Sequence, residues 1–189
     1  MTRAMSTVLV DNWSGKRSAA LDLLEVVGFS LLTAVLACIR VPLPFTPVPV
    51  TGQTLGVLLA GAMLGARRGF LSQALYLVLG TAGLHFAGGS LVGPTAGYLW
   101  TFPLAALIVG TLVERGAAQR IWTLVPALVV ANGLILADGA LWLGVSLKVP
   151  LRQAMLLGVA PFWLGDVLKI SAVALLLPSL LRGSQQSTT

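Results

Sequence analysis

The chain has 189 residues, 57% of them hydrophobic and only 10% charged, with a formal net charge of +6. A soluble domain carries about 25% charged residues, so this composition sets a water-soluble globule aside and points to a chain dissolved in lipid. The Lys and Arg residues fall between apolar runs, as topology signals do, and form no basic helix or aromatic-basic stripe, which argues against nucleic acid as a partner.

A single His and a single Cys, His85 and Cys38, provide neither a disulfide framework nor a Cys/His metal set, and no cofactor is expected. Residues 1–19 are polar, with Arg3, Asp11, Lys16 and Arg17, and read as an N-terminal segment rather than a secretory signal. Residues 183–189 form a polar tail. Between them lie six apolar segments, each near the roughly 17–25 residues that a spanning helix needs, two of them short. The expectation is one transmembrane domain over 1–189, an all-α bundle of six transmembrane helices in a bilayer.

The first segment is about Ala20–Ile39. Its small residues Thr33 and Ala37, and Ala34 and Cys38, recur at four-residue spacing and let a second helix approach closely. That stripe serves either packing within the bundle or docking of another membrane subunit. The next stretch, Arg40 to Val50, holds Pro42, Pro44, Pro47 and Pro49. Proline lacks the N–H donor and clashes one turn back, so the stretch is extended and stiff rather than helical. With Phe45 at its middle it is either a lid over a cavity, through Pro42, Phe45 and Pro47, or a segment packed on the helix ends.

The second segment is about Thr51–Ala66 and the third about Gly69–Leu84, hinged by Arg67-Arg68; a re-entrant hairpin is the alternative. Thr51, Gln53 and Thr54 open the second helix, where they are placed to cap it and leave Gln53 pointing inward. The loop from His85 to Pro94 is glycine-rich, and irregular backbone at membrane depth is tolerated where protein buries it or a wet cavity adjoins it. Thr95 is positioned to cap the fourth segment, about Thr95–Val113. Tyr98, one turn in, faces the cavity or the lipid interface.

The fifth segment is about Ile121–Leu143. Its Asp138 does not share a face with Asn132 and reads as an outer-interface residue rather than a transport group. Val145–Leu156, with Lys148 and Arg152, reads as a short interfacial amphipathic helix. The sixth segment, about Gly158–Leu181, carries Asp166 and Lys169 at i and i+3, neighbours on one helix face. A charge at bilayer depth costs roughly 2.5–3.5 kcal/mol, so two need a reason. They satisfy each other or grip a ligand with both N–H and carbonyl groups, with Phe162 supplying flat apolar surface. Placing both termini in the cytoplasm puts Arg3, Lys16, Arg17, Arg67, Arg68, Arg115, Arg120 and Arg182 inside, against Arg40, Lys148 and Arg152 outside.

No G-x-x-x-x-G-K-[ST], H-E-x-x-H or G-x-S-x-G motif occurs, so the chain carries no P-loop and no catalytic residue is assigned. No internal repeat is visible.

The run Pro42-Leu-Pro-Phe-Thr-Pro-Val-Pro-Val-Thr-Gly-Gln-Thr-Leu-Gly-Val-Leu-Leu-Ala-Gly61 resembles the biotin-uptake S components of the BioY family. So do Tyr76-Leu-Val-Leu-Gly-Thr-Ala-Gly-Leu84, Phe86-Ala-Gly-Gly89, Gly93-Pro-Thr-Ala-Gly-Tyr98 and Gly158-Val-Ala-Pro-Phe-Trp-Leu-Gly-Asp-Val-Leu-Lys-Ile170. The match is collinear from about residue 25 to 181.

The resemblance implies a six-helix substrate-binding subunit of an energy-coupling-factor (ECF) transporter in a bacterial cytoplasmic membrane. Such a subunit captures biotin from outside and works with a transmembrane coupling subunit and two cytoplasmic ATPases. The family's last-helix aspartate and lysine fall on Asp166 and Lys169, and its glycine-proline-threonine-tyrosine segment on Gly93, Pro94, Thr95 and Tyr98. Its first-helix docking stripe falls on Thr33, Ala34, Ala37 and Cys38, where an alanine is usual in place of Cys38. His85 stands where a proline is expected, in a shortened loop.

The implied pose puts the ureido group on Asp166 and Lys169, the thioether ring on Tyr98 and Phe162, and the carboxylate near Thr95, Gln53 and the glycine loop. The reversed pose, with the carboxylate on Lys169, stays open. Two other classes compete: a proton-coupled carrier titrating Asp138 or Asp166, and an assembly protein stapled by the Asp166–Lys169 pair.

Overall fold

The computed structural model describes residues 19–82 and 91–186, with side chains as far as Leu177. His85, the glycine loop through Ser90, the N-terminal segment and the end of the tail lie outside the described residues. Helix α1 runs Ala19–Cys38 and leads into strands β1, Arg40–Leu43, and β2, Thr46–Thr51. Then come α2, Gln53–Thr81, and α3, Ala96–Glu114. A 3-10 turn at Ala117–Gln119 precedes α4, Ile121–Leu147, the short α5, Leu151–Gly158, and α6, Trp163–Gln186. Helices α1 to α4 are long and apolar enough to cross a membrane, and α5 with Trp163–Leu177, bent by 52°, forms a fifth candidate.

Within α2 the chain doubles back. At Gly65 the backbone takes φ 79° and ψ −175°, a conformation that is essentially glycine's alone. Gln53 hydrogen-bonds Tyr76 at 2.6 Å, although 23 residues of straight helix would separate them by about 34 Å. The two arms therefore run antiparallel, and a Cβ on Gly69 would lie 3.0 Å from the Cα of Gly61. The second and third segments read from the sequence are these arms, but the turn falls at Gly65 rather than at Arg67-Arg68.

Three acidic groups on two neighbouring helices hold the turn. The Ala66 N–H, first of the second arm, donates to Glu114 Oε1 at 2.7 Å, and an anion at a helix start is favoured by the aligned peptide dipoles. Arg68 donates to Asp22 and Glu25 of α1, both at 2.9 Å. Arg67 stays exposed.

Small residues bring the helices into contact. Gly61 of α2 faces Ala106 and Val109 of α3, and a Cβ on Gly110 would collide with the backbone of Gly65 and Ala66. Lipid tails are as apolar as leucine, so close packing of this kind replaces hydrophobic burial as the force between helices.

The first-helix stripe is used inside the chain. Thr33, Ala34 and Ala37 are 0%, 2% and 0% exposed. Gly56 packs against Thr33, which also accepts from Gln73 Nε2 at 3.2 Å. Of the four docking candidates only Cys38 is exposed. Thr33, Ala34 and Ala37 thus pack within the bundle, and Cys38 is the member of the stripe left on the surface.

The all-α expectation omits one element. The proline-rich stretch is extended, as read, but it forms an antiparallel hairpin pairing Arg40 with Thr51 and Val41 with Val50, and slipping between Val41 and Leu43. Pro42 sits at the slip, where its missing N–H cannot serve a ladder. Beyond α4 the boundaries also shift. Lys148, at φ 55°, ends α4, and the Val149 N–H reaches back to the Gly144 carbonyl at 3.0 Å. The interfacial helix therefore begins at Leu151, behind Pro150, rather than at Val145. The last segment breaks around Pro161, and α6 starts at Trp163.

Gly110→Val is expected to destabilise the bundle by about 1–3 kcal/mol, because backbone must move to admit the side chain. Gly133→Val has nothing within 4 Å of its Cβ and is expected to stay within about 0.5 kcal/mol of wild type. Unfolding of both full-length variants in mixed detergent micelles checks the contrast; equal losses would sink it.

Candidate ligand-binding site

Three helix starts and the hairpin converge on one cavity. The first turn of α6 and the turn before it supply Phe162, Asp166 and, one turn deeper, Lys169. The start of α2 supplies Gln53 and Thr54, and the start of α3 supplies Thr95 and Tyr98. Leu99 and Phe102 of α3 and Ile135 and Leu136 of α4 form an apolar wall, and Val48, Pro49 and Thr51 of β2 close one side. The cavity holds about 520 Å3 of empty space, open solvent at its mouth included. Small-molecule sites share this make-up, mostly apolar with a few convergent polar groups.

Lys169 Nζ donates to Thr54 Oγ1 at 2.8 Å and to Asp166 Oδ1 at 3.2 Å. An ammonium has three N–H donors, so one remains for a ligand. Asp166 is 5% exposed, and its Oδ2 is buried without a hydrogen-bond partner among the described residues. Ser30 Oγ, Gln73 Oε1 and Asn132 Oδ1 share that condition, but none of them is in the cavity wall. A buried unpaired carboxylate oxygen costs about 1–3 kcal/mol or more, a penalty that a ligand N–H would remove. The wall therefore offers one anionic acceptor beside one cationic donor, which suits a group carrying both N–H and C=O.

Tyr98 is held in a slot. Its ring occupies the space that a Cβ on Gly139 would fill, and its hydroxyl donates to the Gly158 carbonyl at 2.7 Å. The Phe162 ring lies 6.2 Å away, tilted by 50°. Tyr98 thus faces the cavity rather than the lipid interface, with its polar end already satisfied and its ring face left for apolar contact. Gln53 is fixed as well: Thr51 Oγ1 donates to its Oε1 at 2.7 Å, and its Nε2 donates to the Tyr76 hydroxyl.

Asp166, Lys169, Tyr98, Thr95, Gln53 and Phe162 all line the one cavity. Gly93 does not; its carbonyl accepts from Trp142 Nε1 at 2.9 Å, which ties the loop to α4. Neither Thr95 nor Thr51 caps a helix with its side chain. The lid residues are displaced by one face. Pro42, Phe45 and Pro47 point outward, Phe45 at 59% exposed, while Val48 and Pro49 face the cavity. Period-two alternation along β2 would have separated Pro47 from Val48 had the stretch been read as a strand. Thr54, the partner of Lys169, carried no signal, since a threonine in the first turn of a helix reads as a cap. Asp138 accepts from Thr101 Oγ1 at 2.7 Å and is not in the wall.

A model of the BioY family matches residues 6–186. The chain is 38% identical over 165 residues to the "Probable biotin transporter BioY" of Pyrococcus horikoshii, covering 84% of this chain and 94% of that one. It is 38% identical over 161 residues to the "Biotin transporter BioY" of Thermotoga maritima, covering 82% and 92%. The fold is similar to a crystal structure of "the S-component for biotin from an ECF-type ABC transporter", with a TM-score of 0.80 over 86% of this chain and 92% of that one, at 22% identity. A match running through α1 to α6, with relatives aligned over nearly their whole length, means that the chain belongs to the BioY family.

Proposed function

We propose that this multi-pass membrane protein is the biotin-capturing subunit of an ECF-type transporter. The observation that carries the reading is the orphaned Oδ2 of Asp166 beside the Lys169 ammonium in an otherwise apolar cavity. A ureido group meets that pair with complementary chemistry: its N–H donates to Asp166 and its oxygen accepts from Lys169. The fused rings lie between Tyr98, Phe162 and the Leu99–Phe102 wall, and the valeryl chain runs toward Gln53, Thr51 and Thr95.

The membrane arrangement that goes with this reading has six crossings, the two arms of α2 counted separately, and both termini in the cytoplasm of a bacterial cell. The α2 turn, with Arg67, and the basic loop at Arg115 and Arg120 then face inward, as the positive-inside rule requires. The cavity at the starts of α2, α3 and α6 opens outward. Energy for release comes from partners, a transmembrane coupling subunit and two cytoplasmic ATPases, since the chain has no P-loop of its own.

Magnitudes permit tight capture. Nanomolar binding is about −12 kcal/mol, or roughly −0.8 per heavy atom for a ligand of about 16 such atoms, under the ceiling of about −1.5. That efficiency requires nearly complete burial, which the inner face of β2 supplies through Val48 and Pro49.

Lys169→Ala leaves Asp166 buried and unpaired, a change worth about 3–5 kcal/mol, so biotin binding to the purified full chain is expected to weaken by at least roughly 100-fold. Asp166→Asn keeps the shape and loses the anionic acceptor, with an expected loss of roughly 10- to 100-fold. Titration calorimetry reads both, and wild-type affinity in Lys169→Ala would falsify this pose. In vesicles, biotin uptake is expected only when the coupling subunit and ATPases are present with ATP inside. Uptake without any ATPase, abolished by an uncoupler, would instead identify a proton-coupled carrier.

A further inference from the structure

The cavity wall is electrically balanced before any ligand arrives. Among the described residues it contains one cation, Lys169, and one anion, Asp166, and the two are paired at 3.2 Å. The other polar groups of the wall, Thr51, Gln53, Thr54, Thr95 and Tyr98, are neutral hydroxyls and an amide. Biotin ends in a carboxylate that is ionised at neutral pH, and among the described residues this wall holds no second cation to receive it.

A carboxylate buried against neutral groups loses its hydration without a counter-charge, which is strongly unfavourable. A carboxylate placed on Lys169 would stand beside the unpaired Oδ2 of Asp166, and two like charges at that distance repel. The acid end of the ligand is thereby directed to the opening, where water retains it. There it meets hydroxyl groups and the N–H ends of α2 and α3, neither of which has a side-chain cap. Backbone N–H and hydroxyl groups donate to an amide or ester carbonyl in the same geometry as to a carboxylate oxygen, with the weaker bonds of a neutral acceptor. Only the charge–dipole attraction is lost on masking the acid, a few-fold in affinity at each helix end.

We infer that the site recognises the bicyclic ureido end alone, and that its ligand class includes biotin derivatives whose carboxyl is masked as a neutral amide or ester. This rests on the biotin reading above and extends it from one vitamin to a class of conjugates. Such compounds arise wherever biotin is joined through its carboxyl to an amine and later released with the amide intact.

The test is competitive titration calorimetry on the full chain in lipid nanodiscs with three probes: biotin, its primary amide and its methyl ester. The amide and the ester are expected to bind within roughly tenfold of the acid. A weakening beyond tenfold, while biotin itself binds tightly, would overturn this inference and leave the biotin reading standing. Failure of biotin to bind would overturn the underlying reading instead. Lys169→Gln supplies an independent arm. Because the lysine contacts the ureido end in every ligand, the variant is expected to weaken acid and amide by the same factor. A loss confined to the acid would place the carboxylate on Lys169 and sink the proposal.

Discussion

The site depends on a pair of charges that cannot be left alone. Lys169 sits one turn into α6, in a bundle whose neighbouring side chains are leucine, isoleucine, phenylalanine and valine. Asp166 lies one helical step before it and shares its face, and Thr54 reaches across from α2 at 2.8 Å. Each member fixes the others. The acid stands in the first turn of α6, where the helix favours negative charge, and its presence makes the ammonium tolerable. The threonine hydroxyl then draws the ammonium toward α2 and stitches together two elements more than a hundred residues apart in sequence. What the trio leaves unmet among the described residues is one carboxylate oxygen, Oδ2 of Asp166, and on the proposed reading a ligand N–H meets it.

Packing delivers the rest of the wall to that pair. Glycines at the contacts of α3 with α4 and α5 do specific work: Gly139 and Gly158 open the slot that the Tyr98 ring enters, and Gly97 lets α3 lie against Trp142 and the Asp138 carbonyl. Trp142 stacks edge-on against Trp100 at 4.5 Å and donates to Gly93. The turn preceding α3 is thereby anchored to α4, and Thr95 is anchored with it. Without close helix approach, Ile135 and Leu136 would stand too far from Leu99 and Phe102 to form a continuous apolar wall.

Much of this was legible in the chain. Hydrophobic runs located the long helices to within a few residues. The i, i+3 charge pair and the aromatic residues around it located the cavity, because each breaks the apolar pattern of its segment. Three features were not legible, each for a physical reason. The α2 turn was assigned to Arg67-Arg68 on the ground that charge seeks water, but Arg68 has its own acids in α1, and the geometry belonged to Gly65, one of many glycines. The stripe in α1 has the same small-residue spacing whether its partner lies inside or outside the chain. In the fold, Gly56 and Gln73 meet Thr33 from inside the chain. Asp138 reads from the sequence as an outer-interface residue, and its partner Thr101 is not visible there because it lies 37 residues away on another helix.

The hairpin shows how a lid can be stiff and still be coupled to the floor. In β2 Pro47 is exposed and Pro49 buried against the cavity, and each ring fixes the backbone angle and offers no N–H. The ribbon cannot easily recruit a third strand, because its edges are short and poor in donors. Its base is secured where the Gly52 N–H donates to the Ile39 carbonyl at 3.1 Å, joining the end of α1 to the start of α2. From Thr51, the last residue of β2, hydrogen bonds run to Gln53 and on to Tyr76 in the second arm of α2. A displacement of the strand strains that chain directly. The hairpin and the Gln53 part of the wall are thus mechanically one piece, set against the α6 charge pair, and the cavity lies in the seam between them.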